Sequence, residues 1–371
     1  MDDERHRAPE GQRVGGGGVP ALFVAILLAV AGFFGFPGEL PDWSSSDADN
    51  SLPALLEPLL PLDPAAVAHA VEPALVNIST SARSFGSGAA GSGIVLTTEG
   101  QVLTSHHVVK GAETVTVTDV GNGTVYDAKV LGYDAGADIA LLKLTGATDL
   151  TIARIGSSAE LRMHEDVLAI GNAGGAGGIP TSIQGNITDL NSTIVALNAS
   201  DLTRKSLTGM VEIAAPVTAG QSGGALADPG GAVVGVITAA SGRNTRDAGR
   251  PPNGYAVPID TAMRVVGQIR SGTPTETVHI GPTATLGVLS SDAKPSGARI
   301  DVALYGLPAY RAGLVDGDVI TSIDGRDITS SKALRAAINV HKPDDTVRLG
   351  VLGVDGGMRT VTVVLALGTP N

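Results

Sequence analysis

The sequence predicts a mainly β protein, in two globular parts behind one apolar N-terminal segment. Three observations lead there. Between about residues 74 and 258, short runs rich in Val, Ile, Leu and Thr are separated by Gly, Asn and Asp, with no helical periodicity between them. Many short strands at that spacing argue for barrels or sandwiches. After Gly272 the pattern changes to strands interleaved with short helical segments. Ahead of both, residues 19–36 carry no charge. At 371 residues the chain is too long for one ordinary domain.

The elements follow in order. As a helix, residues 19–36 (VPALFVAILLAVAGFFGF) would span about 27 Å, one hydrocarbon core. Arg5, Arg7 and Arg13 precede this run, and Glu39, Asp42, Asp47 and Asp49 follow it. That bias predicts a cytoplasmic tail over 1–18, a transmembrane anchor over 19–36 and an extracytoplasmic linker over 37–62. It makes the chain a single-pass protein of the cell membrane. A cleaved signal peptide is the competing reading, disfavoured by the length of the run and the lack of a small-x-small site after Phe36. A short helix is expected over 64–71.

Strands are expected over 74–80, 93–96, 102–104, 114–119, 126–133, 139–143, 167–170, 181–190, 210–214, 233–239 and 254–258, then a closing helix over 261–271. The C-terminal part reads as strands at 287–288, 297–303, 346–352 and 359–365. Between them lie a helix-turn-strand segment over 307–320 and a helix over 330–340 capped by Ser330.

Composition excludes several functions. The formal net charge of −12 opposes binding to nucleic acid phosphates. Cysteine is absent, so burial rather than disulfides must hold the core. His164 stands beside Glu165, but no second ligand pair has useful spacing, and His6, His69, His279 and His341 are isolated. No metal or other cofactor is expected.

The segment Ala219-Gly220-Gln221-Ser222-Gly223-Gly224-Ala225-Leu226 places a serine between glycines. Such a turn can aim two N–H groups at one point beside a hydroxyl, as acyl transfer at a carbonyl requires. With 50 glycines in the chain, the cluster is weak evidence by itself. Two upstream segments strengthen it. Leu103-Thr104-Ser105-His106-His107-Val108-Val109-Lys110-Gly111 ends a β-rich run at a histidine pair, and Asp138 heads the hydrophobic run Ile139–Leu144. A serine hydroxyl needs a base, and the base needs a partner that orients it and stabilises its cation. His, then Asp, then Ser is the chain order of the chymotrypsin fold, unlike that of subtilisin or the α/β-hydrolases. Asp134, before Ala-Gly, is expected to be a turn residue.

With Gly91-Ser92-Gly93-Ile94-Val95-Leu96 and Ala169-Ile170-Gly171-Asn172, these segments resemble the HtrA/Deg serine proteases, and among them the actinobacterial, PepA-like members. The resemblance runs from about Asp63 to the C-terminus. It implies a chymotrypsin-like double six-stranded β-barrel over 63–272, with the site at the seam, and a small α+β PDZ domain over 278–368. It places the base at His107, its orienting partner at Asp138 and the nucleophile at Ser222. The N–H groups of Gly220 and Ser222 would form the oxyanion hole. His106 is then an exposed or supporting neighbour. Gln221 stands where the family usually has Asn or Asp, and Ala219 where Pro is frequent.

The expected substrate pocket is walled by Pro216, Val217, Thr218, Thr238, Ala239 and Ala240. With no acidic residue among them, cleavage should follow small aliphatic side chains rather than basic ones. The PDZ likeness makes Leu286-Gly287-Val288 the peptide carboxylate loop, with Ala333, Leu334 and Ala337 on the groove helix. A purely structural C-terminal domain is the alternative. The loop 241–252, with its three arginines, reads as solvated, although the family uses the matching loop as an activation switch.

The function implied is a membrane-anchored serine endopeptidase that acts on misfolded or signalling proteins of the cell envelope and binds unfolded or C-terminal peptide segments. The other reading is a chaperone or peptide-binding scaffold with little proteolytic activity. Homotrimers are common in the family.

Overall fold

The computed structural model describes residues 61–81, 88–197, 204–240 and 253–370. The expected cytoplasmic tail, the anchor, nearly all of the linker and the loop 241–252 lie outside the described residues. Among the described residues, no helix is long and apolar enough to cross a membrane.

Helix α1 (Pro64–Val71) starts where its sequence signals place it. Asp63 accepts the Ala65 and Ala66 N–H groups at 3.1 and 3.2 Å, and Pro64 occupies the first turn, where no N–H is needed. The first barrel comprises β1 (Leu75–Ser81), β2 (Ala90–Val95), β3 (Gln101–Ser105), β4 (Thr114–Asp119), β5 (Val125–Asp134) and β6 (Ile139–Leu144), with the short helix α2 (His106–Val109) after β3. Their order is β5-β4-β1-β2-β3-β6, and β6 pairs back with β5 to close the barrel.

The second barrel is closed by β7 (Asp166–Gly171), β8 (Thr181–Leu197), β9 (Arg204–Ile213), β10 (Ala225–Ala227), β11 (Val233–Ala240) and β12 (Gly254–Pro258). Alternate residues of β3 and β6 face opposite ways. Leu103, Ile139 and Leu141 join a seam cluster with Leu168, Ile170 and Val236 of the second barrel, whereas Val102, Ala140 and Leu142 fill the first barrel. Both faces are dry, so β6 reads as a continuous apolar run.

Two strands run further than their sequence suggests. Pairing of β8 with β9 continues past Asn191 through register shifts between Ile187/Asp189, Asp189/Ser192 and Ser192/Ile194. These irregularities let a polar stretch keep its ladder hydrogen bonds in an extended hairpin. Strand β10, at three residues, is too short to carry a periodic signal.

Helix α3 (Ile259–Arg270) buries Ile259, Ala262, Val265, Val266 and Ile269, one face at helical spacing. Beyond it, β13 (Val278–Ile280), placed by sequence at the start of the C-terminal domain, instead pairs with β5 and extends the first barrel's sheet. Gly132 permits this approach, because a Cβ there would lie 2.5 Å from the His279 carbonyl.

The C-terminal domain runs through β14 (Ala284–Thr285), β15 (Val288–Asp292), β16 (Ala298–Ala303), α4 (Pro308–Arg311), β17 (Val319–Ile323), β18 (Arg326–Asp327), α5 (Ser331–Asn339), β19 (Thr346–Leu352), β20 (Met358–Val364) and β21 (Ala366–Leu367). Its sheet has the order β15-β16-β17-β19-β20, and β14 pairs with β21. Ser330 caps α5 by accepting the Ala333 N–H at 3.1 Å, as its sequence predicts. The Asp292 carboxylate accepts the Ser331 N–H and hydroxyl at 2.8 and 2.7 Å, tying the start of α5 to the end of β15.

Candidate active site

The turn that leaves β3 carries the histidine pair, and the turn that enters β6 carries Asp138. Because β3 and β6 are hydrogen-bonded neighbours, Ser105 stands opposite Ile139, and the two turns meet. The His106 N–H donates to the Asp138 carbonyl at 3.0 Å, and the His107 N–H to Asp138 Oδ1 at 3.1 Å. His107 Nδ1 lies 2.7 Å from Asp138 Oδ2. Asp138 is buried and adopts a left-handed backbone (φ 60°) that aims its carboxylate at the ring.

Burial disfavours the charged form of Asp138, but the His107 cation, its hydrogen bond, Lys205 and the Thr238 hydroxyl outweigh it and hold the carboxyl below its ordinary range. Burial likewise disfavours the His107 imidazolium, yet the adjacent carboxylate prevails and raises its pKa. The His107 side chain stays 35% exposed, so one edge remains open to a reacting group.

Ser222 sits on a turn between β9 and β10 in which the two flanking glycine positions admit no side chain. Gly220 (φ +92°) would place a Cβ 2.2 Å from the Asn172 carbonyl, and Gly223 (φ +84°) would place one 2.1 Å from the Ser92 carbonyl. Gln221 is fully buried. Its Oε1 accepts the Thr218 N–H at 2.9 Å, and its Nε2 donates to the Thr181 carbonyl at 3.2 Å. Ser92, on β2, joins the other barrel to this turn: its N–H donates to the Ser222 carbonyl at 2.8 Å, and its hydroxyl donates to the Gly220 carbonyl at 2.9 Å. Among the described residues, the Gly220 and Ser222 N–H groups have no protein acceptor.

Thr238 connects the two halves. Its carbonyl accepts the Ser222 hydroxyl at 3.3 Å, and its own hydroxyl meets Asp138 Oδ2. Read from the sequence as a pocket wall, Thr238 turns its buried side chain toward the carboxylate. Val217 packs into the second barrel's core, while Pro216 and Thr218 are exposed. Ala239 and Ala240 end β11, on the same strand as Thr238.

His106 is buried rather than exposed, and Asp134 is buried at the end of β5, where it accepts the Ala137 N–H at 3.0 Å. The structural roles of Ser92, Gln221 and Thr238 were not read from the sequence, although Gly91-Ser92-Gly93 carried part of the resemblance. In the C-terminal domain Leu286 is buried and Gly287 (φ +77°) makes the turn into β15, an edge strand beside α5.

Residues 91–236 match the trypsin-like peptidase domain, and residues 285–365 match the PDZ domain. The serine protease PepD of Mycobacterium tuberculosis is 32% identical over 364 residues, 94% of this chain and 74% of that protein. The periplasmic pH-dependent serine endoprotease DegQ of Escherichia coli is 30% identical over 270 residues, 71% of this chain but 56% of its own length. The solved structure of the HtrA-type protease AlgW with tripeptide aligns with 82% of this chain and 97% of that one, at 25% identity and a TM-score of 0.47. The two domain matches and the PepD relative define a serine endopeptidase with a trypsin-like peptidase domain and a PDZ domain. The chain belongs to the HtrA family of serine proteases.

Proposed function

We propose that Ser222 is the nucleophile, His107 the general base and Asp138 the group that orients and stabilises the base. The observation that carries this reading is the 2.7 Å contact of His107 Nδ1 with a buried carboxylate, bridged by Thr238 to Ser222. In this reading the Ser222 hydroxyl exchanges the Thr238 carbonyl for His107 Nε2 as its acceptor before attack. His107 then takes the hydroxyl proton as Oγ attacks the substrate carbonyl, and Asp138 stabilises the resulting imidazolium. The Gly220 and Ser222 N–H groups receive the oxyanion. Collapse of the tetrahedral intermediate passes the proton from His107 to the leaving amine. Water, deprotonated by the same imidazole, releases the acyl group.

The exposed Pro216 and Thr218 and the end of β11 bring no acidic side chain to the substrate, which supports cleavage after small aliphatic residues. The free edge of β15 beside α5 supports capture of a C-terminal peptide by strand addition, its carboxylate held at Leu286-Gly287-Val288. The uncharged run 19–36 and its flanking charges support an uncleaved anchor that holds both domains outside the membrane, where misfolded or signalling envelope proteins would be the substrates.

Unfolded casein incubated with the wild type and with Ser222→Ala tests the reading. Loss of substrate with the wild type and not with the variant is expected. Equal loss with both would end the assignment of Ser222, and suppression of aggregation by both without cleavage would favour the chaperone reading.

A further inference from the structure

Three buried rings lead from the groove helix of the PDZ domain to the residue before the candidate base. His106, at the start of α2, stacks on Tyr133 of β5 with centroids 4.6 Å apart and planes 26° apart. Tyr133 meets His279 of β13 at 5.0 Å and 31°, across the ladder in which these two residues are register partners. His279 Nδ1 lies 2.8 Å from the carbonyl of Asn339, the last residue of α5, and its Nε2 lies 3.1 Å from the Gly281 carbonyl. The Lys342 ammonium meets the Ile280 carbonyl, and the Gly111 N–H donates to the Pro370 carbonyl at 2.7 Å. The C-terminal domain is therefore fastened on both sides of the stack.

All three rings are almost fully buried. His106 Nε2 has no hydrogen-bond partner among the described residues, and burial pushes the His106 pKa down to about 3. The ring is thus neutral and stacked on Tyr133, with its Nε2 unpartnered among those residues. What it positions is the backbone on either side of it: the His106 N–H donates to the Asp138 carbonyl and the His107 N–H to Asp138 Oδ1.

We infer that His106, Tyr133 and His279 are positioning residues for hydrolysis: the stack holds the His107–Asp138 pair in place and couples it to the end of α5. This rests on the reading of His107 as base. Because the rings act through that pair and touch no substrate, their loss should appear in kcat rather than in KM. His106 and His279 do not contact each other, so any coupling between them must pass through Tyr133.

The test is a double-mutant cycle of His106→Asn and His279→Asn in the full chain. It reads kcat and KM on a short amidated peptide with no free carboxylate for the PDZ groove, with melting temperatures to confirm folding. Each single change is expected to lower kcat about threefold to tenfold, with KM held within about twofold. The double variant should lose less than the product of the two. Tyr133→Leu should abolish that coupling, and Tyr133→Phe, which keeps the ring, should restore most of the kcat that Tyr133→Leu loses. Independent, multiplicative effects, an unchanged kcat, or losses confined to KM would overturn the inference. If Tyr133→Leu does not fold, the cycle in the wild-type background still decides. Failure of the wild type to cleave any peptide would sink the assignment of His107 instead.

Discussion

The Ser222 hydroxyl donates to the Thr238 carbonyl across 3.3 Å, while the Thr238 hydroxyl meets the same Asp138 oxygen that faces His107. One residue of β11 thus contacts both the serine of the second barrel and the carboxylate of the first. Thr238→Val keeps the carbonyl and the shape but removes the hydroxyl, leaving Asp138 Oδ2 with one partner fewer in a buried site. About a tenfold loss in kcat, with KM nearly unchanged, is expected from steady-state kinetics.

Asp138→Asn should lower kcat by about four orders of magnitude, because an amide cannot stabilise the imidazolium and favours the wrong tautomer. On the reading of His107 as a base that works neutral, activity should rise with pH through its folded pKa, which the carboxylate raises above the ordinary 6.5. Without that carboxylate, burial and the Lys205 cation remain, and both lower the pKa. The acid limb of the variant's residual activity should therefore lie at lower pH than the wild type's.

The same pair makes stability depend on pH. The raised His107 pKa contributes stability that is complete below the ordinary 6.5 and is lost as pH rises through the folded value. The lowered Asp138 pKa contributes stability that is complete above the ordinary 3.8 and is lost as pH falls through the folded value. The stability gap between wild type and Asp138→Asn in urea titrations should be widest between those two values and should narrow on either side.

Gly220→Ala should cost about a hundredfold or more in kcat. A Cβ at φ +92°, 2.2 Å from the Asn172 carbonyl, forces the turn to move and with it the Gly220 N–H proposed to receive the oxyanion. A normal melting temperature with this loss would separate the site effect from unfolding. Retained kcat would remove Gly220 from the oxyanion hole.

Gln221 spans from the Thr218 N–H to the Thr181 carbonyl, and Asn is one methylene too short to reach both. Although the family resemblance makes Asn the usual residue here, Gln221→Asn should destabilise this protein by about 1–3 kcal/mol, because a buried polar group is left unpaired. Thermal or urea denaturation measures it directly. An unchanged midpoint would mean that the turn repacks.

Much of the fold was legible because burial leaves periodic traces. Asp63 and Pro64 mark the start of α1, and the apolar runs at Ile139–Leu144 and Val233–Ala239 mark strands dry on both faces. Where pairing rather than burial maintains a strand, the trace fails. The β8–β9 hairpin continues through polar residues by shifting register, and β10 and β13 are too short for any period to show.

The site divides in the same way. The residue types and their order along the chain suggested a base, a carboxylate and a hydroxyl, the resemblance chose His107 from the histidine pair, and the structure brings His107 within 2.7 Å of Asp138. Contacts across the chain were decided by tertiary structure. Ser92 reaches Gly220 over 128 residues, Thr238 reaches Asp138 over 100, and His279 closes on Asn339 over 60. No local pattern encodes such distances, since a hydrogen bond or a ring contact depends on where two barrels and a third domain come to rest. The same packing buried His106 beneath Tyr133 and turned Thr238 of β11 toward Asp138, which the identity of neither residue foretells.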